Sequence, residues 1–307
     1  MNDQADNLRM AIERLSAMRV AEPEGRRGRA RPAGRPRVVT VTSGKGGVGK
    51  TNISVNLALA LSEMGYRPLI VDADIGLANV EVLFGMSPGC KLNDILSGDK
   101  SIRDIVAEGP YGVGFISGGS GFDELSRMDG SKVGALFAGL SELDGLYDAY
   151  IIDTGAGISD TVVSMAAAAD EALIVTTPEP TSVTDAYALI KAIASRNRAA
   201  TMRLIVNKAE SGEEADDIMS RLTRVTGKFL DLKLWKLGYI LNDPLVVRAV
   251  KQQQPLLIGY PHSRTSKCIR EIASRLTEGG TYAPPEKGRG LSGFFDGIFK
   301  YVNVQLK

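Results

Sequence analysis

Between Val41 and Ser54 the chain reads VTSGKGGVGKTNIS, and Gly44, Gly49, Lys50 and Thr51 meet the spacing G-x-x-x-x-G-K-[ST]. Such a loop turns successive backbone N–H groups toward an anion. Gly46, Gly47, Val48 and Gly49 would supply that nest, and a helix opening at Lys50, Thr51 and Asn52 adds the positive end of its dipole. Lys50 brings a cation to the β- and γ-phosphates of a nucleotide, and the Thr51 hydroxyl suits Mg²⁺. One lysine suffices there, which leaves Lys45 without a task inside its own loop.

Two more segments carry acids at strand ends. LIVDAD places Asp72 and Asp74 two residues apart, hence on one face while the strand lasts. YIIDTGAG puts Asp153 at the end of a second apolar run, followed by small residues. Phosphoryl transfer to water needs Mg²⁺ near the phosphates and a group that orients the water. Asp153 suits a metal role one shell out from Thr51, with Asp72 as a further metal candidate. Asp74, just past its strand, suits the placing of water.

The elements that must position these groups follow from periodicity. VVTVTS, LIVDAD, AYIIDTGAG, EALIVTTPE, RLIVNKA and KLGYIL are short β-branched runs separated by crossover-length segments. Runs apolar on both faces predict a mostly parallel sheet with helices on both sides, a doubly wound α/β fold. Residues 49–64 predict a helix that begins inside the loop and turns Ile53, Leu57, Ala60, Leu61 and Met64 to the sheet. This domain is expected over 38–279. It follows an amphipathic helix over 1–20 and a Pro-, Gly- and Arg-rich linker over 21–37. A second linker over 280–290 leads to a helix over 291–307.

The resemblance to a known class rests on several motifs together. SGKGGVGKT resembles the deviant phosphate loop of the MinD/ParA ATPases, P-loop NTPases in which the early lysine is a signature. DADIGLANVEVLFG is similar to their first switch, with Asn79 in place, and IIDTGAGIS to the second. The resemblance implies ATP and Mg²⁺ as cofactors and an ATP-dependent homodimer. In it Lys45 would reach the partner's nucleotide and act in catalysis with Lys50 and Asp74. It also implies that Asn207, in IVNKA, reads adenine, with Asp243, in LNDPLVVRAVKQQQPLL, as a second base-site residue.

The tails distinguish among members of that class. Asp3-Gln4-Ala5 followed by Leu8-Arg9 is similar to the N-terminal motif of the FlhG (FleN) regulators of flagellar number and placement. That resemblance implies an FlhF-type GTPase as partner, stimulated through Asp3, Gln4, Leu8 and Arg9. It also implies flagellar C-ring or basal-body proteins, and a flagellar transcription regulator as a further partner. At the other end Leu291, Phe294, Phe295, Ile298, Phe299 and Val302 form one wide apolar stripe. Burying six such residues is worth roughly 10 kcal/mol gross, before the cost of ordering the helix. A monomer must hide that face, against its own body or against anionic inner-membrane lipid, where relatives of the MinD class place it. The expected location is the cytoplasm, with peripheral binding to the cytoplasmic face of the inner membrane.

Composition narrows the alternatives. With 37 basic and 36 acidic residues the 307-residue chain has no charge excess for nucleic acid, which weighs against a DNA-partitioning role. Cys90 and Cys268 lie too far apart for the paired-cysteine site of a metal-cluster assembly ATPase. The opening MNDQADNLRM has acids and no apolar run, so no secretory leader is expected. His262, the single histidine, can build no metal site alone, and Trp235 is expected in the core. Two readings stand beside the flagellar one: a septum-placing ATPase of the MinD kind, and a regulator of flagellar gene expression whose ATP site only sets conformation.

Overall fold

The structure, a computed structural model, describes residues 36–74, 79–90, 101–117, 142–277 and 290–303. The expected helix over 1–20, nearly all of the linker over 21–37 and the segment 280–289 lie outside the described residues.

Among the described residues eight strands form one sheet: β1 (Arg37–Ser43), β2 (Pro68–Ala73), β3 (Ala107–Glu108), β4 (Gly114–Ser117), β5 (Ala149–Ala156), β6 (Glu171–Thr176), β7 (Met202–Ala209) and β8 (Trp235–Leu241). Their order is β3-β4-β2-β5-β1-β6-β7-β8, and every pairing is parallel except that of β3 with β4. The doubly wound α/β expectation is met. β3 and β4 carry too few residues to stand out in the sequence as strands.

Alternate side chains of each strand enter opposite cores, so both faces of the sheet are apolar. On one face Val39, Val41, Ile70, Ile151, Val175 and Ile205 are buried under α1 (Lys50–Glu63), α2 (Asn79–Phe84), α6 (Pro244–Lys251), α7 (Leu256–Gly259) and α8 (Arg264–Thr277). On the other, Ile174, Leu204 and Val206 meet α3 (Asp160–Ala168), α4 (Pro180–Arg196) and α5 (Gly212–Leu230). Helix α9 (Gly290–Asn303) joins this second face. Leu291, Phe294 and Phe295 are buried there with Tyr150, Ile152, Met165 and Ala168.

The α9 stripe is therefore spent on the chain's own body. Leu291, Phe294 and Phe295 are 0, 1 and 4% exposed, Ile298 and Phe299 pack partly buried beside them, and the helix lies on α3. Asp144 anchors the start, its Oδ1 accepting from the Leu291 amide at 2.9 Å. In this state the five residues face protein, one of the two surroundings expected for that stripe; the side chain of Val302 lies outside the described residues. Trp235 departs from the core expectation. It is only half-buried, with Lys233 Nζ 3.3 Å from its ring centroid.

At the opposite pole from the loop, Glu171 is buried between Arg37 and Arg203, with an ion pair to each. Both arginines also donate to terminal carbonyls of α8, Arg37 to Leu276 and Arg203 to Arg275. A buried carboxylate needs such pairing to stay charged, and cations suit the negative end of a helix.

Candidate functional site: a phosphate-binding loop ringed by carboxylates

Three adjacent strands deliver the site. β1 runs directly into the loop; β5 pairs with β1 and β2 with β5, and near their carboxyl ends they carry Asp153 and Asp72, which are register partners. Ligands of open α/β sheets sit at such carboxyl ends, where the strand order reverses direction. Spacing along the chain could not reveal that Asp72 and Asp153 are side by side.

Gly49 is the N-cap of α1 with φ 97°, in the left-handed region that disfavours side chains. A Cβ there would also come 2.5 Å from Asn207 Nδ2. Asn207 Nδ2 donates to the Val48 carbonyl at 2.7 Å, and Lys208 Nζ donates to the Gly47 carbonyl at 2.8 Å. The end of β7 thus clamps the loop by two backbone carbonyls, leaving its N–H groups free to face an anion. Lys208 itself has φ 59°, a costly backbone for a non-glycine residue that such a clamp can hold in place. Gly44 is equally constrained, since a Cβ there would meet the Asp185 carbonyl of α4 at 2.3 Å.

The carboxylates are close-set. Asp153 is fully buried and accepts from Ser54 Oγ at 2.9 Å through Oδ1, while its Oδ2 completes no hydrogen bond among the described residues. Burial pushes its pKa up to about 6, although the Thr51 and Ser54 hydroxyls and the Lys50 ammonium pull it down. Asp72 accepts from the Val80 and Asp74 amides, both at 3.2 Å. Burial, and then the charge of Asp153, raise it to about 7. Lys50 is 8% exposed, and burial lowers its pKa against the pull of Asp153 and Asp74. Asp74, half-buried, accepts from Asn79 Nδ2 at 3.1 Å and lies against Gly155 of β5.

These residues fit a hydrated divalent cation beside a polyphosphate. A buried carboxylate oxygen without a partner, near a threonine hydroxyl at a helix start, is what the water shell of Mg²⁺ would complete. Two buried acids with raised pKa values in one cleft are the kind of cluster that functional sites assemble.

In the single chain Lys45 turns to its own α4. Its Nζ bonds Glu179 Oε2 and, at 2.9 Å, Thr181 Oγ1 at the start of α4 in its own chain. Its hydrogen bond, and then its charge, hold the Glu179 carboxyl below the usual range. Asn207 is committed to the loop through Nδ2, and its Oδ1 accepts from the Lys208 amide. Asp243 caps α6, accepting from the Leu245 amide and from Thr265 Oγ1. Glu179, Thr181, Lys208 and Ser54 went unnoticed in the sequence, since only the packing of α4, β7 and α1 around the loop brings them there. Asp3, Gln4, Leu8 and Arg9 lie outside the described residues.

Residues 35–277 match the family model described as "ParA: NUBPL iron-transfer P-loop NTPase". The chain belongs to the ParA family of P-loop NTPases. Among curated members, the antiactivator FleN of Pseudomonas aeruginosa is 40% identical over 258 residues, 84% of this chain and 91% of that one. The flagellum site-determining protein YlxH of Helicobacter pylori is 37% identical, covering 88% of this chain and 92% of its own. Among solved structures, this ParA-family chain is similar to the septum site-determining protein MinD of Pyrococcus horikoshii complexed with Mg-ADP. That match has a TM-score of 0.62 and 25% identity, and covers 79 and 96% of the two chains.

Proposed function

We propose that this chain is an ATP-hydrolysing switch that sets the number or placement of bacterial flagella. The observation that carries the chemistry is the orphaned, buried Asp153 oxygen beside a clamped phosphate loop, with Asp72 and Asp74 on the same rim. The 40 and 37% identities to FleN and YlxH support the flagellar role over a septal one, since five curated MinD relatives are 30 to 33% identical.

The loop amides and Lys50 hold the β- and γ-phosphates, Thr51 would ligate the metal, and Asp153 and Asp72 would orient its water shell. Mg²⁺, when bound, adds positive charge where negative charge gathers on the phosphates. Asp74, steadied by Asn79, aligns the attacking water. Asn207 and Asp243 stay near the base, acting there through the remaining amide and carboxylate valences. Lys45 leaves Glu179 when two chains pair across two nucleotides, and neutralises charge on the opposite phosphates.

Nucleotide-driven pairing also frees α9 from α3, so that two apolar helices meet the cytoplasmic face of the inner membrane together and gain by avidity. The N-terminal segment with Asp3, Gln4, Leu8 and Arg9 then engages an FlhF-type GTPase and stimulates it. C-ring components and a flagellar transcription regulator are the further proposed partners.

Electron microscopy of cells lacking the protein tests the role. Altered flagellar number or placement with normal division supports it, whereas minicells with normal flagella would assign the chain to septum placement.

A further inference from the structure

Helix α5 carries an apolar stripe that outruns the body it packs on. Ala215, Ile218, Met219, Leu222 and Thr226 are buried against the sheet and α4. The next position of that stripe is Phe229, yet it is 66% exposed, the most exposed large hydrophobic residue described. Val225, one turn earlier, is 36% exposed. Around the pair stand Arg221, Arg224 and Lys228, all exposed, with Lys228 Nζ 5.4 Å from the Phe229 ring centroid. Arg221 pairs with Asp217 one turn earlier, Arg198 pairs with Asp231 past the helix end, and Lys233 lies over the Trp235 ring, so Arg224 and Lys228 lead the cationic face.

Helix electrostatics explain part of this. The first turns of α5 hold Glu213, Glu214, Asp216 and Asp217, the last turns hold the cations, and both suit the macrodipole. No such rule places a bare phenylalanine among them. Exposed aromatic and arginine side chains together are the composition of protein interfaces, whose energy centres on a few such anchors.

We propose that the C-terminal half of α5 is a docking face for an acidic protein segment carrying an apolar side chain. The apolar residue covers Phe229 and Val225, and its acids pair with Arg221, Arg224 and Lys228. Duplex DNA is disfavoured because Asp217 and Asp231 interrupt the cations, leaving too short a run for several phosphates. A lipid surface is disfavoured because two apolar residues one turn apart give too little area to insert. The inference does not depend on the proposed flagellar role, since the face lies on a different element from the nucleotide loop.

The test uses the full chain and fluorescence anisotropy. The probes are labelled peptides of about 15 residues that combine glutamates with two leucines or phenylalanines, in helical and in extended spacing. Controls are the same peptides with serine in place of the apolar residues, a 20-base-pair duplex, and phosphatidylglycerol vesicles. Binding of at least one acidic apolar peptide is expected. It should fall about tenfold or more in Phe229→Ser and in the Arg224→Glu/Lys228→Glu pair, as loss of an anchor predicts. Nucleotide affinity and melting temperature should not change, because these side chains face solvent. The idea is overturned if no peptide binds, if the variants bind peptides as well as the parent, or if they lose DNA or vesicle binding instead.

Discussion

Lys45 Nζ is bonded to Glu179 Oε2 and to Thr181 Oγ1 of its own chain, 134 and 136 residues away. The ammonium is thereby held on α4 and cannot at the same time serve a second nucleotide. Lys45→Ala should leave ATP binding within about twofold, because Lys50 and the loop amides remain. It should abolish ATP-dependent pairing and turnover. Glu179→Gln should act the other way, forming dimers at lower ATP concentration by light scattering. Unchanged dimerisation in both variants would remove Lys45 from the mechanism.

Asn207 and Lys208 grip the loop from β7, so the loop should loosen without them. Asn207→Ala should weaken binding of a fluorescent ATP analogue by about tenfold, equivalent to about 1.4 kcal/mol. Gly49→Ala should do worse, because φ 97° and the 2.5 Å approach to Asn207 both oppose a methyl group. Equal affinity in Gly49→Ala would mean that the loop is rebuilt on binding.

Acid titration gives a third prediction. Asp72 and Asp153 ionise less readily in the fold than in the unfolded chain, at about 7 and about 6 against 3.8. The unfolded state therefore loses their protons first, and nucleotide-free stability should fall as pH rises from about 4 to about 7, then level off. The effect of Asp153 alone is at most about 3 kcal/mol. Urea unfolding at several pH values should show this decline, and Asp153→Asn should flatten it. A stability that rises through the same window would contradict the burial argument.

Docking of α9 should be measurable as stability. Phe294→Ala removes a ring that is 1% exposed, and such truncations cost about 3–5 kcal/mol when the rest of the site cannot collapse. If α9 detaches instead, the loss is smaller and hydrogen exchange should rise in α3. Asp144→Ala, which removes the acceptor at the start of α9, should raise vesicle binding in the absence of ATP. Vesicle binding that ignores both nucleotide and Asp144 would separate α9 from the switch.

By itself the sequence determined the loop from Gly44 to Thr51, the strand-end acids, most strands of the sheet and the amphipathic character of α9. Each is written in local spacing: a turn needs its glycines, a doubly buried strand needs an unbroken apolar run, and a helix stripe repeats every three to four residues. β3 and β4 escaped because two and four residues make no period. Tertiary structure alone decided what those groups meet. It set Asp72 against Asp153, turned Lys45 to Glu179, used Asn207 as a brace, and laid Leu291, Phe294 and Phe295 on α3 while leaving Phe229 bare. An apolar stripe is satisfied equally by a core, a lipid or a partner, and a charge by any opposite charge within reach. Periodicity states the need, and only the packing of distant segments selects what meets it.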